Sequence, residues 1–138
     1  MADDAKAVLR KWFDEVWNER RDAAIDQLAA PHSLVHGLGP DLRGPEGFKT
    51  FHTSFCNAFP DIHVTLEDLV CEGTMVAARW RATGTHRGDG LGFPATGKPV
   101  SFTGMVFARV ENGQLVEGWN TLDQLGMLQQ LGVVSPPG

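Results

Sequence analysis

Asp123 is the residue of this chain whose surroundings best suit proton transfer. Asn112-Gly113 is the dipeptide of a two-residue type I′ hairpin turn. Counting outward from it sets Glu111 opposite Gln114, Trp119 opposite Val106, Thr121 opposite Gly104 and Asp123 opposite Phe102. Because side chains alternate along a strand, Asp123, Thr121 and Trp119 then share one side of the hairpin with Phe102, Gly104, Val106 and Ala108. A carboxylate against such walls loses hydration, which raises its pKa from ~3.9 toward the range of a general acid/base. A β-bulge between the turn and Asp123 would invert this parity. Asp123 also stands where it would N-cap a final helix over Gln124–Leu131. Capping hydrogen bonds stabilise the charged form and oppose the catalytic role, and spacing alone leaves both open.

The other chemistry-bearing residues are weaker. His32 and His36 have HxxxH spacing but follow Pro31 in an extended segment, where they do not converge on a metal, so no metal site is expected. His36 can project into a pocket from its strand or serve as a hydrogen-bonded structural histidine. His86 ends a strand before a glycine-rich run, and Arg79 and Arg81 alternate against Val76, Ala78 and Trp80. Either arginine can bind an anionic or carbonyl group, or form a solvated, ion-paired face. The run Gly88-Asp89-Gly90-Leu91-Gly92 lacks the strand-to-helix setting of a dinucleotide or phosphate loop. No serine sits in a nucleophile-elbow pattern, and Cys56 and Cys71 have no CxxC spacing and read as buried reduced thiols. Tyrosine is absent, so any oxyanion donor must be His, Asn, Arg, Trp or backbone.

Helices must come first and strands after. Residues Asp4–Trp17 carry Val8, Leu9, Trp12, Phe13, Val16 and Trp17 at helical spacing, with Asp3 or Asp4 as the N-cap. Asp22–Ala30 reads as a second helix stopped by Pro31, and Ser33–His36 as a short extended piece. A third helix opens at Gly44-Pro45-Glu46, with Phe48, Phe51, Phe55 and Phe59 on one face. The period then shortens to two over Ile62–Leu66, Met75–Thr83, Val100–Val110 and Leu115–Asp123, followed by the final helix and a Pro136-Pro137 tail. The pattern predicts one α+β domain spanning residues 1–138, in which three N-terminal helices cover a curved antiparallel sheet around an apolar pocket. Trp12, Trp17, Phe51, Phe55 and Phe102 are the expected aromatic walls, suited to a flat hydrophobic ligand.

The 138 residues hold 12 Lys+Arg against 17 Asp+Glu, a formal net charge of −5. No basic stripe is present, which disfavours nucleic-acid binding. No apolar run approaches the roughly 20 residues of a membrane span, and the acidic N-terminus does not resemble a secretory signal. A cytoplasmic protein without membrane contact is expected.

A series of short segments runs in order along almost the whole chain: Glu15-Val16-Trp17-Asn18, Gly44-Pro45-Glu46-Gly47-Phe48, Ala58-Phe59-Pro60-Asp61, Ala78-Arg79-Trp80, Gly84-Thr85-His86, Gly92-Phe93-Pro94-Ala95-Thr96-Gly97, Trp119-Asn120-Thr121-Leu122-Asp123 and Gln129-Gln130-Leu131-Gly132. Together they resemble the SnoaL-like polyketide cyclase (ester cyclase) family. The resemblance implies a cone-shaped, cystatin-like α+β barrel of the nuclear transport factor two-like superfamily, oligomeric through its sheet as a homodimer or homotetramer, and without a cofactor. It also implies intramolecular aldol closure of a hydrophobic, aromatic polyketide-like substrate, with an aspartate matched by Asp123 as acid/base; His36 is the second catalytic candidate, and His86, Asn120 and Arg79 are the other polar candidates of the chain. Arg79, His86, Trp119 and Thr121 join the aromatic walls as expected substrate contacts. A non-catalytic binder of small apolar ligands, or a hydrolase or isomerase using the same acid, would present the same residues.

Overall fold

The computed structural model describes residues 2–135, with side chains from Ala5 onward. Asp3 and Asp4 lie within helix α1 and not ahead of it as caps, and the Pro136-Pro137 tail lies outside the described residues. Helix α1 (Ala2–Lys11) does not continue as one α-helix to Trp17 but widens into a π-helical segment, Trp12–Asn18. There Glu19 N–H donates to the Asp14 carbonyl at 2.9 Å, five residues back. The widened turn brings Trp12, Phe13, Val16 and Trp17 into the core together.

Helix α2 covers Asp22–Leu28 and stops two residues earlier than expected, because Ala29 is already extended (φ −102°, ψ 131°) and begins β1 (Ala29–His36). Pro31 disfavours helical geometry at Ala30 and has no N–H to offer the sheet. Pairing of β1 with its neighbour accordingly lapses between Ala29 and Leu34. The two-residue β2 (Leu42–Arg43) leads into α3 (Gly44–Ala58), with Pro45 in its first turn. Four antiparallel strands follow: β3 (His63–Glu72), β4 (Met75–Thr85), β5 (Pro99–Glu111) and β6 (Gln114–Leu122). Helix α4 (Gln124–Gln130) closes the described chain. None of the helices among the described residues is long and apolar enough to cross a membrane.

The six strands form one curved sheet in the order β2-β1-β6-β5-β4-β3, with β1 and β6 parallel and every other pair antiparallel. The helices lie against its inner face, where Val76, Ala78, Trp80, Ala82, Phe102, Val106, Ala108 and Val110 are all buried. The turn at Asn112-Gly113 has the left-handed dihedrals of type I′ (φ 53° and 74°).

One residue decides what β6 offers to that face. Glu111 pairs with Gln114 and Val110 with Leu115, but Arg109 pairs with Glu117, so Val116 is an extra residue and the count slips by one. Beyond the bulge Ala108 faces Gly118, Val106 faces Asn120 and Gly104 faces Leu122. The pairing expected for Trp119, Thr121 and Asp123 is therefore corrected. Trp119 and Thr121 lie on the outer face in rows with Phe107 and Met105, and all four side chains are exposed. Asp123 is exposed too, and its Oδ1 accepts the Gly126 N–H at 2.9 Å as the N-cap of α4.

The outer face at the β1–β6 edge is fastened by a charged cluster. His36 Nε2 lies 2.8 Å from Glu117 Oε2 and His36 Nδ1 lies 3.0 Å from Asp41 Oδ1, while Arg109 donates to Glu117 Oε1 at 3.1 Å. A neutral imidazole has a single N–H, so serving both carboxylates requires the imidazolium. The hydrogen bonds to Glu117 and then Asp41 hold the His36 pKa above the ordinary imidazole value. Those from His36 and then Arg109 hold Glu117 below the usual carboxylate range. His36 also stacks on Trp119, centroids 5.7 Å apart.

Two outcomes follow from these arrangements. Asp123→Ala removes a cap and lowers unfolding stability by about 1 kcal/mol in a denaturant titration, without altering the inner face. His36 should titrate above 6.5 by NMR. The stability that wild type holds over His36→Gln is full below the ordinary imidazole pKa and is lost as pH rises through the raised value. On the acid side, the part due to Glu117 is lost as pH falls through its lowered pKa.

Candidate active site

Between the helices and the inner face lies an apolar cleft with about 850 Å³ of empty space, open solvent at its mouth included. Its roof is the aromatic chain the sequence predicts. Trp12 meets Phe48 edge-on at 4.7 Å, Trp17 meets Phe51 and Phe55 at 6.2 and 5.8 Å, and Phe55 meets Phe102 at 6.1 Å. Trp12, Trp17, Phe51, Phe55 and Phe102 all line the cleft. Spacing located them because the 3.6-residue period of α3 and the two-residue period of β5 both aim large side chains the same way.

The floor is made by β4, β5 and β6. Trp80 lies across Gly104 so closely that a β-carbon built on that glycine would stand 2.2 Å from the indole Cζ2. No residue but glycine leaves the indole this position. Gly37 serves a similar end at the β1 terminus. It adopts φ +93°, and a β-carbon there would fall 1.8 Å from the Asn120 carbonyl oxygen. The chain thereby crosses directly over β6 and brings Leu38 to the cleft wall.

Beyond the indole N–H groups of its tryptophans, of which that of Trp80 is buried without a partner, the polar lining is sparse: Ser33, Asn120 and Glu117. Ser33 is buried on β1, and Asn120 is half-buried on the inner face of β6. Glu117 borders the cleft, but both its carboxylate oxygens are engaged on the outer side, one by Arg109 and one by His36. Asn120 was one of the polar candidates of the sequence, although the unbulged register set it on the opposite face to the expected acid. The bulge at Val116 places it inward.

Six of the expected site residues stand elsewhere. Asp123 caps α4 in solvent, so the desolvated acid beside apolar walls does not form. His36, Trp119 and Thr121 belong to the outer face. Arg79 pairs with Asp68 across β3 and β4 in the same outward alternation. His86 is wholly buried, but in the glycine-rich loop, between Phe59 and Phe93. There Thr96 N–H donates to its Nδ1 at 3.0 Å, and its own backbone bonds Lys98 and Gly97, so it pins the loop. Cys56 and Cys71 are unpaired as expected, though half-buried instead of enclosed.

The cleft can take up a flat apolar molecule and meet one of its oxygens with an amide. Comparison with known proteins agrees in fold and in sequence. The chain superposes on a SnoaL-like protein from Jannaschia sp. CCS1 with a TM-score of 0.88 over 99% of this chain and 95% of that one, at 22% identity. Wild-type IdmH from Streptomyces antibioticus matches with a TM-score of 0.82 and 30% identity, covering 93% of this chain and 98% of IdmH. The aklanonic acid methyl ester cyclase DnrD of Streptomyces peucetius is 35% identical over 104 residues, 74% of this chain and 70% of DnrD. Residues 7–131 match the SnoaL-like polyketide cyclase family; the chain belongs to that family.

Proposed function

We propose that the protein is a cofactor-independent cyclase that closes a ring in a hydrophobic, aromatic polycarbonyl compound by intramolecular aldol addition. The observation that carries this reading is the cleft itself: aromatic walls from the π-helical segment, α3 and β5, one amide on its floor, in a chain related to a named polyketide ester cyclase. Trp12, Trp17, Phe51, Phe55 and Phe102 hold the flat rings of the substrate by burying apolar area. Asn120 meets a carbonyl or enol oxygen. Asp123 is given no part in the proton transfers in this reading, because its side chain lies in solvent with Oδ1 accepting the Gly126 N–H.

One feature favours a second reading, in which the same cleft binds a small apolar ligand without changing it. The side chains that face inward among the described residues are uncharged, with Glu117 turned to its outer partners. Turnover separates the two.

The outer face supports self-association. Val70, Met105, Phe107 and Trp119 expose apolar surface on β3, β5 and β6, and Arg109 lies over the Trp119 ring at 5.7 Å. A contiguous apolar patch on a sheet face suits a second copy of this chain, and the proposed enzyme is a homodimer through that face.

Incubation with a panel of aromatic polyketide methyl esters, in the presence of a metal chelator, should give ring-closed isomers detectable by chromatography and mass spectrometry. Tight binding with no product from any ester would favour the binder. Phe51→Ala and Trp17→Ala should each lower kcat/KM by about 10-fold or more, from lost ring contact of about 1.4 kcal/mol or greater. The Phe107→Glu, Trp119→Glu double variant should run as a monomer in light scattering at concentrations where wild type is dimeric; an unchanged mass would exclude this interface.

A further inference from the structure

The chemistry of the cleft is set by a contrast between its size and its charge. Ring closure by aldol addition is ordinarily driven by a base that removes a proton from carbon. Here the polar groups of the lining side chains among the described residues are a hydroxyl, Ser33, an amide, Asn120, and the indole N–H groups of Trp12, Trp17 and Trp80, the last buried without a partner, while Glu117 is held by His36 and Arg109; none of the indoles can accept a proton. No cation lines the cleft either, so an enolate or a free carboxylate entering it would lose hydration without a compensating charge. A neutral oxygen function carries no such penalty.

Asn120 is placed to use one. It faces Val106 in the register, beside Gly118 and next to the Trp80–Gly104 crossing, and its side-chain nitrogen lies 4.0 Å from where a β-carbon on Gly118 would be. The absence of a side chain at Gly118 leaves the amide approachable. Its side chain makes no hydrogen bond to another described residue, so both its oxygen and its NH₂ are open to a guest.

We propose that Asn120 binds its substrate as a neutral enol, Oδ1 accepting the enol O–H and Nδ2–H donating to the adjoining carbonyl, and that the protein supplies no proton acceptor for ring closure. The substrate class is a carbon acid flanked by two carbonyls, which enolises without help. This inference rests on the cyclase reading for its reaction step. In that step the enol carbon forms the new C–C bond to the second carbonyl carbon, and the π pair of that carbonyl moves onto its oxygen. The enol O–H bond breaks as its own carbonyl re-forms, and the proton ends on the new oxygen, directly or through one water, to give a hydroxyl. Nothing is oxidised or reduced, and the product is an isomer of the substrate.

The test uses benzoylacetone, a 1,3-diketone whose keto and enol forms differ in near-ultraviolet absorbance. Apolar walls alone favour the enol, so the comparison is between wild type and Asn120→Leu, both checked for folding by thermal melting. Wild type should hold the bound probe at an enol-to-keto ratio about threefold or more above that of the leucine variant. Asn120→Asp provides a second variant: once ionised it accepts but cannot donate, and its enol preference should fall as pH rises through the new carboxyl's pKa. With ring-closing esters, wild-type kcat/KM should be flat across the pH range where the substrate stays neutral, and the aspartate variant should acquire a sigmoid. Equal enol ratios in wild type and Asn120→Leu, or a wild-type rate that titrates with a single protein group, overturn the proposal and leave the cyclase reading standing. Enol preference without turnover of any ester supports the Asn120 assignment and overturns the cyclase reading alone.

Discussion

A strand has two faces, and a single inserted residue exchanges them. Val116 is that residue in β6, and the composition of the cleft depends on it. Without the bulge, Trp119 and Thr121 would line the interior, and the Asn120 side chain would face solvent. With it, Gly118, Asn120 and Leu122 turn inward against Ala108, Val106 and Gly104, while Trp119 joins Phe107 on the outer face. The bulge sits three residues past the hairpin turn, beside a β1–β6 junction that is already fastened. Arg109 and Glu117 pair immediately beyond it, and His36 ties Glu117 to β1. The outer charged cluster and the inner apolar cleft are thus two consequences of one irregularity.

This accounts for which parts of the site were legible in the sequence. The aromatic roof was, because Phe51 and Phe55 keep the 3.6-residue period of α3, Trp12 and Trp17 still turn inward where α1 widens into its π-helical segment, and Phe102 sits on a long strand that keeps an unbroken register with β4. The α+β order and the type I′ turn were legible for similar local reasons. The far half of β6 was not. Its parity depends on a bulge that no residue type announces, since neither Val116 nor its neighbours is a glycine or proline. The aspartate that best suited acid/base chemistry by spacing is used in the alternative way the same spacing allowed, as a helix cap. His86 shows a different failure. A histidine at a strand end suggests a ligand contact, and only the tertiary fold shows that Thr96 and the loop backbone enclose it.

The division of labour between the two faces bears on the chemistry. Charged side chains of β3 to β6 lie on the outer surface, where Arg79–Asp68, Arg81–Glu67 and Arg109–Glu117 pair in partial contact with water. The inner surface keeps to uncharged groups: hydrocarbon, indole rings, a hydroxyl and an amide. An interior of this kind selects by shape and hydrogen-bond complementarity and leaves solvation of charge to the outside. It suits a guest that brings its own reactivity, and it keeps that guest apart from the ionised groups a few ångströms away across the sheet.

The Trp80–Gly104 crossing has a consequence for how such an enzyme diversifies. The depth of the floor is set by an indole lying over a residue with no side chain. Replacing that glycine by even alanine would push the ring upward into the void, shortening the longest molecule that fits, while exchanging the tryptophan for a smaller residue would deepen it. Chain-length preference is in this way held by one large and one absent side chain on adjacent strands, separate from the amide that reads the oxygen, so reach and recognition can drift independently during descent.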